Sequence, residues 1–127
     1  MRLFLVRHAE AAPGDPDDLR PLTPAGREQA RKLGATLATE QPEVVLTSPL
    51  LRARETGAAI AEASGIAAEA VERLAPGATA DDLRAVATGR GDTVVAVGHQ
   101  PDCSEIVFAL TGEEVRFPAG GVHEVEL

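Results

Sequence analysis

The sequence predicts an α/β fold in which a largely parallel sheet is covered by helices on both faces. Short apolar runs alternate with segments of helical spacing along the 127 residues, a pattern typical of β-α-β units. Three of these runs, at residues 3–6, 44–46 and 93–98, are almost entirely apolar, as expected for strands buried on both faces. No linker or low-complexity tract divides the chain, so we expect a single domain over residues 1–127.

The predicted helices begin at hydroxyl or proline residues. Thr23 is followed by Pro24 and Ser48 by Pro49; serine or threonine at the N-cap and proline at the first helical position both favour initiation. Thr79 caps a third, shorter segment, and a proline opens the fourth. The sequence therefore predicts four helices, over residues 24–38, 49–63, 80–87 and 101–110.

Three remaining segments complete the prediction. Residues 67–74 are expected to form a short strand or an extended connection. Residues 119–127 mix valines with charged side chains, which predicts an edge strand with one polar face. Residues 11–22 are rich in Pro, Asp and Gly and predict a loop at the rim of any site that lies beyond the first strand.

Composition limits the partners of the protein. The formal net charge is -8, so the bulk surface repels nucleic acid and anionic membranes, and we expect neither as a partner. A few clustered arginines would still bind a phosphate group, because nearby charges dominate the local potential. The chain opens directly on an apolar strand, without a leader pattern or an apolar run long enough to span a bilayer, so we expect a cytoplasmic protein.

Basic residues follow the three apolar strands. Arg7 and His8 come directly after the first strand and His99 directly after the third. Arg52 follows the second strand, in the first turn of the predicted helix. Because the carboxyl ends of parallel strands meet at one edge of a sheet, where such sheets bind ligands, we expect these four side chains to surround one phosphoryl group.

These residue types suit phosphoryl transfer without a metal ion. The guanidinium groups of Arg7 and Arg52 would hold phosphoryl oxygens through charge-assisted hydrogen bonds. A neutral His8 would act as a nitrogen nucleophile and form a phosphohistidine intermediate. A protonated His99 would donate a hydrogen bond to an equatorial oxygen of the transition state.

We expect neither a cofactor nor a metal. The chain has three histidines and one cysteine, and their spacing is not that of zinc ligands. His123 and Cys103 are interpreted as structural residues, one on a strand face and one in a helix. A lone cysteine also excludes an internal disulfide.

Four motifs resemble those of the histidine phosphatase superfamily, also called phosphoglycerate-mutase-like. They are residues 6–10 (VRHAE), 22–30 (LTPAGREQA), 48–56 (SPLLRARET) and 97–101 (VGHQP). They occur in the order found in that family and extend over nearly the whole chain.

The resemblance implies both a fold and a set of roles. The implied fold is a three-layer α/β/α sandwich whose mostly parallel sheet has one antiparallel strand near an edge. His8 would be the nucleophile, and Arg7, Arg52 and His99 would bind phosphate. The chain length is similar to that of the short SixA-type phosphohistidine phosphatase branch, in which Arg20 would line the pocket rim.

The sequence departs from the longer members of the family at the general acid. Those members place a glutamate shortly after the third strand region. Here the corresponding position falls at or near Arg73, and Glu72 is one residue away, on the opposite face of an extended segment. The acid is therefore absent or supplied by one of the loop residues Asp15, Asp17 and Asp18.

A site without a general acid favours a weakly basic leaving group. The conjugate acid of imidazole titrates at about 6.5, so imidazole leaves far more readily than an alkoxide does. We therefore expect a phosphatase that acts on phosphohistidine of a signalling protein. Two alternatives stay open: a small-molecule phosphomonoesterase acting on a sugar or nucleotide phosphate, which needs a working acid, and a non-catalytic phospho-binding module.

Overall fold

The computed structural model describes residues 1–127, and its elements alternate as predicted. The strands are β1 (Arg2–Arg7), β2 (Val44–Thr47), β3 (Ala68–Ala70), β4 (Thr93–Gly98) and β5 (Val122–Glu126). The helices are α1 (Pro24–Ala38), α2 (Leu51–Ser64), α3 (Ala80–Ala87) and α4 (Asp102–Thr111). Two single 3₁₀ turns, Asp17–Leu19 and Glu72–Leu74, lie in the connections.

The five strands form one sheet in the order β3-β2-β4-β1-β5. All neighbouring pairs are parallel except β1 with β5, which confirms a mostly parallel sheet with one antiparallel strand at an edge. Arg7 pairs with Gly98, and Thr47 pairs with Val97. β1, β2 and β4 therefore end level with one another, and the residues that follow them emerge at the same edge.

Helices cover both faces of the sheet, as predicted for strands that are apolar throughout. Leu3 and Leu5 of β1 pack into a cluster with residues of α3 and α4. Phe4 and Val6 of the same strand pack into a second cluster with residues of α1 and α2. Alternate side chains of β1 thus enter different layers of the core, which completes the three-layer sandwich. None of the helices combines the length and apolar character needed to cross a bilayer.

Two of the predicted helix starts are wrong by one or two residues. α2 begins at Leu51, so Ser48 is not its N-cap and Pro49 precedes the helix. Pro101 occupies the N-cap position of α4, which begins at Asp102. The other two caps are confirmed: the Thr23 hydroxyl accepts from the Gly26 N–H group, and Thr79 forms a capping box with α3.

A glycine brings α2 close to the sheet. A Cβ atom at Gly57 would lie only 2.2 Å from Cγ2 of Thr47, the last residue of β2. Thr47 is buried and cannot move aside freely. Gly57 therefore lets α2 pack directly on the end of β2, and this contact places the first turn of α2 beside the carboxyl ends of the strands.

Candidate active site

The sheet edge that the strand ends share brings together two histidines. His8 follows β1 and His99 follows β4, and their ring centroids lie 5.3 Å apart. The backbone N–H of His8 donates to the Gly98 carbonyl, which continues the parallel pairing one residue past the strand. The pairing of β1 with β4 thus sets the spacing of the two imidazoles.

The ring of His8 is held in one orientation by the backbone. Its Nδ1–H donates to the carbonyl oxygen of Ala9 at 2.7 Å, which leaves Nε2 with a free lone pair. Burial lowers the pKa of His8, and the Arg52 and Arg7 guanidiniums lower it further, although the bond to Ala9 acts in the opposite direction. His8 is therefore neutral at pH 7, the form in which an imidazole nitrogen is nucleophilic.

His99 is almost wholly buried, with 3% of its surface exposed. Burial lowers the pKa of His99 to about 4, with further contributions from His8 and Arg52. The expectation that His99 is protonated is therefore wrong for this state of the protein. A neutral imidazole still carries one N–H group, so His99 keeps the ability to donate a hydrogen bond.

Ser48 decides which nitrogen of His99 carries that hydrogen. Its Oγ lies 2.7 Å from His99 Nε2 and accepts from the Leu50 N–H group at 3.2 Å. The hydroxyl hydrogen has an acceptor only if Ser48 donates to Nε2, which places the ring hydrogen on Nδ1. Sequence reasoning missed Ser48, although it follows β2 as His8 follows β1.

Two arginines face the histidines from different elements. Arg7, the last residue of β1, donates from Nη1 to the Phe117 carbonyl at 3.0 Å. Arg52, in the first turn of α2, is only 7% exposed. Thr56 ties this turn to the segment that follows β1, because its hydroxyl accepts from the Ala9 N–H and donates to the Arg52 carbonyl.

The cluster formed by Arg7, His8, Arg52 and His99 contains three buried N–H groups that have no hydrogen-bond partner within the protein. They are Nε of Arg7, Nε of Arg52 and Nδ1 of His99; the hydroxyl of Ser64, in the last turn of α2, is the fourth such atom in the chain. Buried donors are nearly always paired. A buried donor without an acceptor, called orphaned below, lowers the stability of the fold by about 1–3 kcal/mol. Three orphaned donors at one sheet edge point to an oxyanion as their common partner.

Arg20 and Asp17 form the rim of this cluster. Arg20 donates from Nε to the Ala12 carbonyl at 2.8 Å and from Nη1 to Asp17 Oδ1 at 3.0 Å. Asp17 Oδ2 in turn lies 3.2 Å from Nη2 of Arg52. The structure therefore places Arg20 at the edge of the site, joined to Arg52 through one carboxylate.

The acidic residues considered as proton donors differ in their positions. Arg73, at the position where longer members of the family have the acid, is exposed and bound to Asp82 of α3 at 3.0 Å. The carboxylates of Glu72, Asp15 and Asp18 are exposed and make no hydrogen bond or ion pair with a site residue. Asp17 alone among the candidates contacts the site.

The charge state of Asp17 argues against a role as a proton donor. Arg20 and Arg52 hold the pKa of its carboxyl below the usual value. The group is therefore ionised at neutral pH and holds no proton to transfer.

The side chains of the remaining histidine and of the cysteine make no hydrogen bond to Arg7, His8, Arg52 or His99. His123 of β5 packs edge-on against Phe117 and lies 3.8 Å from the carboxylate of Glu113. Cys103 is buried in α4, and burial raises the pKa of its thiol to about 12, so it stays protonated. No three His, Cys, Asp or Glu side chains are grouped as a metal site would require.

Comparison with known proteins places the chain in a family. The model of the histidine phosphatase superfamily (branch 1) matches residues 3–76, more than half of the chain. The chain belongs to the histidine phosphatase superfamily. Arg7, His8 and Arg52 lie within the segment that the family model matches, and His99 lies beyond it. Membership of this family, together with a structural match to a SixA protein histidine phosphatase, identifies the protein as a phosphatase, as the resemblance implied.

Relatives of this histidine phosphatase span most of its length. It is 34% identical over 136 residues to an uncharacterized protein of Picosynechococcus sp. (strain ATCC 27264 / PCC 7002 / PR-6), covering 96% of this chain and 82% of that protein. It matches the protein histidine phosphatase SixA complexed with tungstate with a TM-score of 0.88 and 28% identity, over 100% of this chain and 88% of that one. A putative phosphohistidine phosphatase SixA from Agrobacterium tumefaciens gives a TM-score of 0.83 and 28% identity, over 97% of this chain and 89% of that one. The fold and the SixA-type branch are thereby confirmed.

Removing the Ser48 hydroxyl tests how His99 is oriented in this histidine phosphatase. Ser48→Ala leaves Nε2 of His99 buried without a partner, so we expect the Nδ1–H form to lose its preference and kcat to fall about tenfold. The ring tautomer is read from imidazole ¹⁵N chemical shifts, and kcat from phosphate release. Ser64→Ala, which removes a buried hydroxyl that has no partner, is the control and leaves both readouts unchanged. An unchanged tautomer in Ser48→Ala contradicts the assignment.

The lowered pKa of His99 predicts a loss of stability in mild acid. In the unfolded chain His99 becomes protonated near pH 6.5, whereas in the folded protein it stays neutral down to about pH 4. The unfolded state therefore binds more protons in this window, and the free energy of unfolding falls as pH decreases through it, by roughly 3 kcal/mol if His99 acts alone. His8 contributes in the same direction.

Urea denaturation at intervals between pH 7 and pH 4 measures this slope. The matched variant His99→Gln has no titrating group at this position, so its slope is smaller than that of the wild-type protein. Equal slopes in the two proteins would contradict a neutral, buried His99.

Proposed function

We propose that the protein dephosphorylates phosphohistidine on a signalling protein through a phosphorylated form of His8. The observation that carries the proposal is the group of three orphaned N–H donors beside a neutral imidazole whose Nε2 is free. A phosphoryl group supplies oxygens for the donors and an electrophilic phosphorus for the nitrogen. This combination supports transfer of the phosphoryl group to His8, and not only binding of that group.

The proposed reaction proceeds in two displacements. N–H groups of Arg7 and Arg52 hold the phosphoryl oxygens, and Nε2 of His8 attacks phosphorus in line with the leaving nitrogen. Nδ1–H of His99 donates to an oxygen on which negative charge develops. Water then attacks phospho-His8 from the side that the leaving group has vacated, which releases phosphate and regenerates the neutral imidazole.

The proposed substrate class follows from the leaving group. An alkoxide needs a proton as it departs, and no protonated carboxyl group lies at the site, since Asp17 is ionised and Glu72 makes no contact there. Imidazole departs without that help once its other nitrogen is protonated. The SixA relatives, one of them named as a protein histidine phosphatase, support the same substrate.

A substrate panel tests this proposal. The protein is incubated with a phosphorylated histidine phosphotransfer domain and, separately, with phosphoserine peptides, and phosphate release is followed for the wild type and for His8→Ala. We expect release from the phosphohistidine protein to be faster by at least an order of magnitude and to depend on His8. Faster release from the serine peptides would overturn the assignment of the substrate.

A further inference from the structure

We propose that Asp17 recognises the imidazole ring of the substrate, by accepting a hydrogen bond from the ring nitrogen that does not carry the phosphoryl group. This inference rests on the proposed function and specifies how the site would distinguish phosphohistidine from a phosphate ester. Asp17 is thereby assigned a role in specificity and not the role of a general acid.

The carboxylate of Asp17 is fixed in position and still accessible. Arg52 donates from Nη1 to the Asp17 carbonyl at 2.8 Å and from Nη2 to Oδ2 at 3.2 Å, and Arg20 donates to Oδ1 at 3.0 Å. The Asp17 side chain nevertheless remains 65% exposed. Each carboxylate oxygen has a second lone pair, so the group retains acceptor capacity toward a bound molecule.

One guanidinium links this carboxylate to the proposed phosphoryl site. The terminal nitrogens of Arg52 are occupied by Asp17, whereas its buried Nε has no partner. If Nε binds a phosphoryl oxygen, Asp17 lies one guanidinium width from the transferred group. A ring attached to that phosphorus extends over the same distance, which brings its second nitrogen toward the rim where Asp17 lies.

The charge balance at the rim favours a cationic leaving group. A carboxylate beside a phosphate dianion is repulsive, and Arg20 and Arg52 compensate it only in part. A phosphate ester offers Asp17 no donor. Phosphohistidine protonated on its second nitrogen offers an N–H⁺ group, and charge-assisted hydrogen bonds of this kind are among the strongest in proteins. Asp17 remains ionised to accept it, because Arg20 and Arg52 lower its pKa.

The bond changes balance without a general acid. Nε2 of His8 supplies the electron pair of the new P–N bond. The electron pair of the breaking P–N bond returns to the substrate nitrogen, whose ring positive charge is neutralised as it departs. The proton held against Asp17 stays on the second nitrogen, so a neutral imidazole leaves. Stabilising the protonated substrate therefore replaces proton transfer during cleavage.

The test compares two substrates in matched variants. Asp17→Asn keeps the backbone carbonyl and an acceptor oxygen for the arginines but loses the charge. We measure kcat/KM for phosphohistidine and for p-nitrophenyl phosphate, which has no protonated ring nitrogen to offer Asp17. The readout is the ratio of the phosphohistidine value to the p-nitrophenyl phosphate value. We expect Asp17→Asn to lower that ratio roughly tenfold or more. Asp17→Glu should recover part of it, and Asp18→Asn, from the same 3₁₀ turn, should leave it at the wild-type value.

Each other outcome has a defined meaning. If Asp17→Asn lowers kcat/KM equally for both substrates, Asp17 only anchors the loop. If it raises kcat/KM equally for both, the carboxylate competes with phosphate. Either result overturns the inference and leaves the proposed function intact. A wild-type protein that hydrolyses p-nitrophenyl phosphate but not phosphohistidine would instead overturn the proposed function. Hydrolysis of p-nitrophenyl phosphate by each variant verifies that its site is folded.

Discussion

Replacing His8 with alanine is expected to reduce turnover of any phosphorylated substrate by at least about 10⁴-fold. In the proposed mechanism the lone pair of Nε2 forms the bond to phosphorus, and the structure contains no other free nitrogen nucleophile beside the orphaned donors. His99 cannot substitute for it, because Nε2 of that ring is bonded to Ser48. Stopped-flow or coupled phosphate assays measure the loss.

The control for this variant is His123→Ala. His123 contacts the Phe117 ring and the Glu113 carboxylate but makes no hydrogen bond to Arg7, His8, Arg52 or His99, so its removal should leave kcat/KM close to the wild-type value. Free imidazole added to His8→Gly should restore part of the turnover, because it supplies the missing nucleophile. Residual activity of His8→Ala within tenfold of the wild type would contradict nucleophilic attack by His8.

Substituting Arg52 with lysine is expected to lower kcat/KM by about 10²–10³-fold, the range associated with one lost oxyanion contact. Lysine keeps the charge, but it cannot hold Asp17 and a phosphoryl oxygen at the same time. The terminal nitrogens of Arg52 bind only Asp17, an exposed residue, and lysine is of similar length, so we expect the variant to fold. Its Kd for inorganic phosphate, measured by calorimetry, should increase in parallel.

Arg54→Lys provides the matched control. Arg54 lies in the same turn of α2, is exposed, and donates only to the Pro49 carbonyl. Its replacement should therefore change neither kcat/KM nor phosphate affinity. Similar losses in the two variants would indicate a general effect of the helix start and would contradict a specific contact from Arg52.

The sheet and the residues at its edge could be predicted from the sequence for a simple reason. β1 and β4 are continuous apolar runs that end abruptly at Arg7 and Gly98, so both the burial of the strands and the position of His8 and His99 follow from the pattern alone. The antiparallel edge strand was implied by the family resemblance. Its mixed pattern of valines and charges indicated an edge but not a direction.

The contacts that complete the site depend on tertiary structure and left no local signal. Ser48 followed by Pro49 is a typical helix start, yet the hydroxyl is used by His99 and α2 begins at Leu51. The position of Asp17 depends on Arg52, which is 35 residues away in the chain. The charge state of His99 depends on how deeply it is buried beside His8 and Arg52, which no spacing rule encodes.

Rapid-quench labelling tests most directly whether His8 accepts the phosphoryl group. The protein is mixed with a ³²P-labelled phosphohistidine protein, quenched under alkaline conditions on the millisecond scale, digested, and the labelled peptide is sequenced by mass spectrometry. The mechanism predicts an acid-labile, alkali-stable label on His8 that is absent from His8→Ala and turns over at the rate of phosphate release. Full hydrolytic activity with no label on His8 at any time point, or a label on another residue, would contradict it.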